Sequence, residues 1–143
     1  GFYELDKILK KINQLSGGIL LIDYGYLNPK NKSTIQSVLK HKKNNLFNNL
    51  GKADITHLVN FSLLREYFTK NNLEVKKIVS QKFFLEKMGI NERANIISRK
   101  MSLMEKSKLY LRIKRLLDVN LMGNLFKVIF AYKFKKDNFL GFE

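Results

Sequence analysis

Cysteine and tryptophan are absent from this chain, proline occurs once, and 12 acidic residues face 27 basic ones. Without cysteine there is no disulfide framework, no thiolate nucleophile and no CxxC metal site. No apolar run approaches the roughly 18 residues that a membrane-spanning helix needs, and the start has no signal-peptide architecture. HExxH and paired-histidine spacings are missing, since only His41 and His57 occur. There is no serine nucleophile elbow and no glycine-rich phosphate loop, so acyl transfer and nucleotide hydrolysis have no support. A soluble, intracellular protein without a metal is the expectation.

The formal net charge of +15 invites a nucleic-acid reading, because clustered cations release counterions from phosphates. The distribution of charge argues against one. Of the basic residues 22 are Lys and 5 are Arg, spread along the chain among Asn and Ile. Phosphate and guanine recognition favours arginine, whose planar fork binds in bidentate fashion. The pairs Lys42-Lys43, Lys76-Lys77 and Lys135-Lys136 can still attract an acidic partner.

What is present is best seen in residues 18–25, GILLIDYG, an apolar run that stops abruptly at Asp23, Tyr24 and Gly25. A run this short suits a strand buried on both faces, as in a parallel sheet covered by helices. Ligands of such sheets bind at the carboxyl ends of the strands. Asp23 and Tyr24 would lie at that edge, with Gly25 permitting a turn; the ordinary alternative is a core strand ending in a polar turn.

The 143 residues amount to about one domain. The chain begins at Gly1 without a methionine and enters a helical pattern at once, so processing, cutting or a tag could have removed something upstream. Leu5, Ile8, Leu9, Ile12 and Leu15 recur at helical spacing, and Gly17-Gly18 supplies a stop. Residues 28–33 form a polar turn around Pro29. Residues 34–49 are ambiguous: Ile35, Val38 and Leu39 are helix-spaced, whereas 42–49 is rich in Lys and Asn and reads as irregular. Asn60 can cap a helix bearing Leu63, Leu64, Tyr67 and Phe68. A strand is expected around Val75, Ile78 and Val79, and helices over 81–88, stopped by Gly89, and over 92–100. Another helix carries Leu109, Ile113, Leu116 and Leu117, and a last interior strand spans 125–134. Strands separated by helices imply an α/β class. The polar groups near the ends of apolar runs are Asp23, Tyr24, Gln36, His41, Asp54, Thr56, His57 and Gln81, each of which could also be a cap or turn residue.

Five blocks, GGILLIDYGY, STIQSVLKH, GKADITHLVNF, SQKFFLEKMGI with Glu92-Arg93-Ala94 close behind, and LMGNLFKVIFAY, occur in an order that resembles the MidA family. The resemblance covers nearly the whole chain. It implies an α/β fold: the carboxyl-terminal half of a class I, Rossmann-like methyltransferase sheet with flanking helices, and 26–72 as an inserted, substrate-side region. Residues 19–23 would be the fifth strand of that sheet and 73–80 the sixth, with 125–134 the seventh, antiparallel between them. The glycine-rich and acidic loops that hold S-adenosyl-L-methionine would lie upstream of Gly1.

The same resemblance implies methylation of a protein arginine, linked in mitochondrial relatives to assembly of respiratory complex I, with a complex I subunit as a candidate partner. It implies a bacterial cytoplasmic location, or the mitochondrial matrix in eukaryotic relatives. Asp23, Asp54 and His57 are carried over as catalytic candidates. Tyr24, Gln36, His41, Thr56 and Gln81 follow as substrate-binding candidates, and Gly25 as cofactor-binding. Departures are mild: Ile35 where leucine is frequent, Ser37 where alanine is usual, and Lys52 where an acidic residue is common. A guanidinium has a pKa above about 12, so carboxylates are needed to orient it and accept the proton shed on methylation. The rival reading is a non-catalytic assembly factor that grips a partner through its basic surface, and a third is nonspecific nucleic-acid binding.

Overall fold

The computed structural model describes residues 2–28, 31, 33–135 and 138–143. Pro29, Lys30 and Lys32 of the expected polar turn, and Lys136 of the last lysine pair, lie outside the described residues.

Helix α1 (Phe2–Leu15) leads into β1 (Gly18–Tyr26), the longest strand. The hairpin β2 (Gln36–Leu39) and β3 (Lys42–Asn44), the short β4 (Asp54–Thr56) and β5 (Val59–Asn60) precede α2 (Phe61–Lys70). Then come β6 (Glu74–Val75), β7 (Val79–Ser80), α3 (Gln81–Lys87), α4 (Ile90–Ser98), α5 (Leu103–Leu117), α6 (Met122–Leu125) and β8 (Phe126–Tyr132). No described helix is long and apolar enough to cross a membrane.

The main sheet runs β5-β1-β8-β6, with β7 also on β8. Strand β8 pairs antiparallel with β1 from Gly18↔Tyr132 to Tyr24↔Phe126, and β5 pairs parallel with Gly25 and Tyr26. The antiparallel last strand between the other two matches the expected order. Adjacent residues of β8 face opposite ways, which builds a core on each side of the sheet. Ile129 and Ala131 pack with Leu9 and Ile12 of α1 and Phe61 and Phe68 of α2, while Val128 packs with Val79 and Phe84.

Three expectations are corrected. The strand expected over 73–80 is broken in two. From Val75 to Val79 is four steps, against three from Ala131 to Val128 on the partner strand, so one extra residue must bulge out between β6 and β7. Residues 36–44 form a hairpin, neither helical nor irregular. Its turn residues Lys40 and His41 both have positive φ, at 49° and 64°, the twist that two-residue hairpin loops require. Finally, β1 is not buried on both faces. Leu20 and Ile22 are each 45% exposed, because no described element covers them, whereas Ile19 and Leu21 pack against the α1–α2 side.

The helix boundaries follow local chemistry. Asn60 Oδ1 accepts the Leu63 N–H at 3.1 Å, as a cap should, and Gly89, at φ 80°, separates α3 from α4. Helix α5 begins with a capping box. Ser102 Oγ accepts the Glu105 N–H, and the Glu105 carboxylate accepts the Ser102 N–H at 2.8 Å and its hydroxyl at 2.7 Å; these bonds hold the carboxyl below its ordinary pKa.

Candidate functional site

The carboxyl end of β1 is where the two sheets meet. A cleft of about 880 Å³ opens there, lined by Tyr24 of β1, the 33–35 segment, Gln36 and Ser37 of β2, Lys43 and Asn44 of β3, and Leu46, Leu58 and Leu125. Tyr24 is held edge-on to Phe126, with ring centroids 5.6 Å apart, so its position is set by the β1–β8 pairing. The opposite wall is braced by Asn44, whose Nδ2 donates to Ser37 Oγ at 3.1 Å and to the Asn48 carbonyl at 2.8 Å. Thr34 Oγ1 accepts the Leu58 N–H at 3.2 Å and ties the segment before β2 to the one before β5. On the far side of residues 33–35 lies a second cleft of about 520 Å³, lined by His57, Tyr26 and Asn60 among others. A third, of about 430 Å³, follows β1 on its α1 side and includes Asp23.

Asp23 is half-buried, and its Oδ1 accepts the Tyr24 N–H at 2.7 Å. Its Oδ2 has no partner among the described residues. Lys127 stands opposite it in register, yet its Nζ donates to the Asn124 carbonyl, and burial lowers its pKa. Gly25 is buried against the start of α2: a Cβ there would lie 2.3 Å from the Val59 carbonyl oxygen and 2.6 Å from the Phe61 ring. Close approach of β1 to β5 and Phe61 is therefore what requires glycine at this position.

Of the remaining sequence-derived residues, Gln36 shares the 880 Å³ cleft with Tyr24, and the others do not join them. Gln36 and Thr56 are paired across β2 and β4, where the Thr56 hydroxyl is buried with no hydrogen-bond partner among the described residues. Such an orphan costs about 1–3 kcal/mol. His57 is exposed, with Nδ1 at 3.2 Å from the Leu58 carbonyl. Asp54 is exposed on β4 and lines none of the three clefts, and His41 sits at the exposed hairpin tip. Gln81 is buried, and its Nε2 donates to the Leu116 carbonyl at 3.0 Å, which fastens α3 to α5. Asp23, Asp54 and His57 thus share no cleft. Sequence reasoning passed over Ser33, Thr34, Ser37 and Asn44. Only Ser37, standing where alanine is usual in the resembling family, carried any signal.

Comparisons with known proteins place the fold. A family model of S-adenosyl-L-methionine-dependent methyltransferases matches residues 3–79, more than half of the chain. The mitochondrial protein arginine methyltransferase NDUFAF7 of Xenopus tropicalis is 30% identical over 98 residues, which is 68% of this chain and 22% of that protein. Its Caenorhabditis elegans homologue is 29% identical over 89 residues, 62% of this chain and 21% of the homologue. An uncharacterised Burkholderia thailandensis protein superposes with a TM-score of 0.78 at 24% identity, over 95% of this chain and 39% of its own. A methyltransferase-like protein of the same organism, solved with S-adenosyl-homocysteine bound, superposes with a TM-score of 0.74 at 22% identity, over 95% of this chain and 38% of its own. The matched part is about a fifth of the length of the curated relatives and less than half that of the solved ones. With a family match over most of β1 to β7 and a shared fold over nearly every residue, the chain belongs to the S-adenosyl-L-methionine-dependent methyltransferases of the MidA type.

Proposed function

We propose that this chain is the carboxyl-terminal part of a methyltransferase and that the whole protein methylates an arginine nitrogen of a protein substrate. The observation that carries the reading is the cleft at the carboxyl end of β1, in a sheet whose strand order is the one the family resemblance implies. The names of the vertebrate and nematode relatives favour a protein arginine as acceptor, and the family resemblance extends that reading to a subunit of respiratory complex I. Residues 26–72 supply the substrate side, since the small sheet forms one wall of the cleft.

The residues of this chain do not by themselves fit S-adenosyl-L-methionine. Gly25 is covered by Val59 and Phe61, and Asp23 has one oxygen committed to its neighbour's amide, so Gly25 offers the cofactor no open backbone and Asp23 a single oxygen. The chemistry assigned to these residues is confined to the acceptor. Asp23 is the carboxylate at the strand end, on the 430 Å³ groove beside the 880 Å³ cleft, with no partner for its Oδ2 among the described residues, and it is suited to orient a guanidinium and to take up the proton it sheds. Tyr24 and Gln36, which line that cleft, present a hydroxyl and an amide to the polypeptide that carries the arginine. Orientation matters more than base strength here, because methyl transfer needs in-line alignment and excluded water.

The test is Asp23→Asn in the full-length protein, with methyl incorporation into arginine followed by mass spectrometry. Turnover is expected to fall by about a hundredfold or more with the melting temperature unchanged. Undiminished turnover removes Asp23 from the mechanism, and methyl groups found only on another residue type overturn the acceptor.

A further inference from the structure

Positive charge is densest over residues 93–115, which hold eight basic side chains, four of the chain's five arginines among them, against Glu105 alone. That carboxylate is taken up by Ser102 in the capping box. The segment covers most of α4, the turn after it and nearly all of α5. Tyr110 ties the two helices together, its hydroxyl donating to Asn95 Oδ1 at 3.1 Å. Helix α5 packs on α3, α4 and α6 through the half-buried Leu109, Ile113, Leu116 and Leu117, and none of its residues is fully buried.

The outward face of α5 is not the plain polar face of a surface helix. Positions 104, 108, 111 and 115 follow steps of four, three and four, which keep to one side of a helix, and they alternate Met, Lys, Leu, Arg. Leu103 is 87% exposed, Met104 69% and Leu111 64%. Around them Lys108, Arg112, Lys114 and Arg115 are exposed, and none of the four forms an ion pair among the described residues. These aliphatic side chains add nothing to the packing of the helix.

A nucleic acid would answer the cations and leave the aliphatic groups in water, since it engages proteins by base stacking on aromatic rings as well as by charge. A peptide helix or strand docks in a groove, and the three clefts described above are lined by no residue of α4 or α5. An anionic bilayer meets both features at once: acidic headgroups attract the lysines and arginines, and the leucine and methionine side chains enter the boundary of the acyl chains.

We infer that the outward face of α5 is a docking surface for an anionic lipid bilayer, with the helix lying along the membrane plane. The contact is peripheral and independent of the methyl transfer proposed above.

The test is co-sedimentation of the full-length protein with phosphatidylcholine vesicles, with and without about a third of phosphatidylserine, at about 0.1 M salt. Binding is expected with phosphatidylserine alone. Lys108→Glu combined with Arg115→Glu should lower it at least tenfold, because each basic residue near an anionic surface contributes roughly fivefold. Met104→Gln combined with Leu111→Gln should lower it about threefold or more, glutamine being a good helix former. Circular dichroism should be unchanged in both pairs. Absence of phosphatidylserine-dependent binding overturns the inference, as does binding that neither pair weakens. Loss confined to the charge pair also overturns it and points to an acidic protein; displacement from the vesicles by an equimolar duplex oligonucleotide does so in favour of nucleic acid. Vesicle binding without methyl transfer leaves the docking face standing and removes the proposed activity; methyl transfer without vesicle binding does the reverse.

Discussion

Gly25 shows how one missing side chain positions a whole corner of the molecule. Its Cα lies so close to β5 that a methyl group would collide with the Val59 carbonyl, an immobile backbone atom, and with the Phe61 ring. Gly25→Ala is therefore expected to destabilise the chain by about 1–3 kcal/mol, as overpacking of a filled interior does, measured by urea denaturation. Stability within error of the parent would mean that β1 and β5 can part without cost. Nothing in the sequence distinguishes this role from a turn or a cofactor contact, because the clash is with residues 34 and 36 positions away. Asp23 was legible as the polar end of an apolar run. That Asp54 and His57 stand apart from it was not, since separation in space depends on how the small sheet folds back.

At the scale of elements, local signals and pairing signals behave differently. Asn60 was readable as a cap, and its Oδ1 accepts the bond predicted for it. Asn60→Ala should cost about 1 kcal/mol, seen as a lowered urea midpoint, with the loss recovered by Asn60→Asp and not by Asn60→Val. Recovery by valine would show that packing, not the hydrogen bond, holds the start of α2. The helix over 103–117 shows its apolar stripe at the expected spacing, with Leu109, Ile113, Leu116 and Leu117 all partly buried. The β2–β3 hairpin was obscured because its turn carries Lys40-His41 at positive φ, where Asn-Gly is the usual mark. The break between β6 and β7 arises from a register difference with β8, some fifty residues on, and no window around 73–80 contains that information.

For the whole molecule, β1 is paired along Gly18–Tyr24 by β8 alone among the described residues, in a chain that covers 39% of the solved relative's length. The 143-residue chain alone is expected to bind S-adenosyl-L-methionine far more weakly than a complete enzyme and to transfer no measurable methyl. Isothermal titration giving a micromolar Kd for the chain alone would contradict this and would place a donor site wholly within these residues. The excess of lysine over arginine, with just two ion pairs formed among the described residues, leaves the positive charge spread over solvated surfaces.

Sequence alone determined the elements whose signals are local: the amphipathic α1, the cap of α2 and the stop of α3, the apolar β1 and β8, and the ordered blocks that point to the family. Periodicity and capping act over one or two turns, so a linear reading captures them. Only the tertiary structure decided which face of β1 stays bare, that Gly25 lies under Val59 and Phe61, and that the polar residues divide among separate clefts. Those outcomes depend on pairing register and on contacts between residues far apart in the chain, and neither leaves a mark in the spacing of neighbouring side chains.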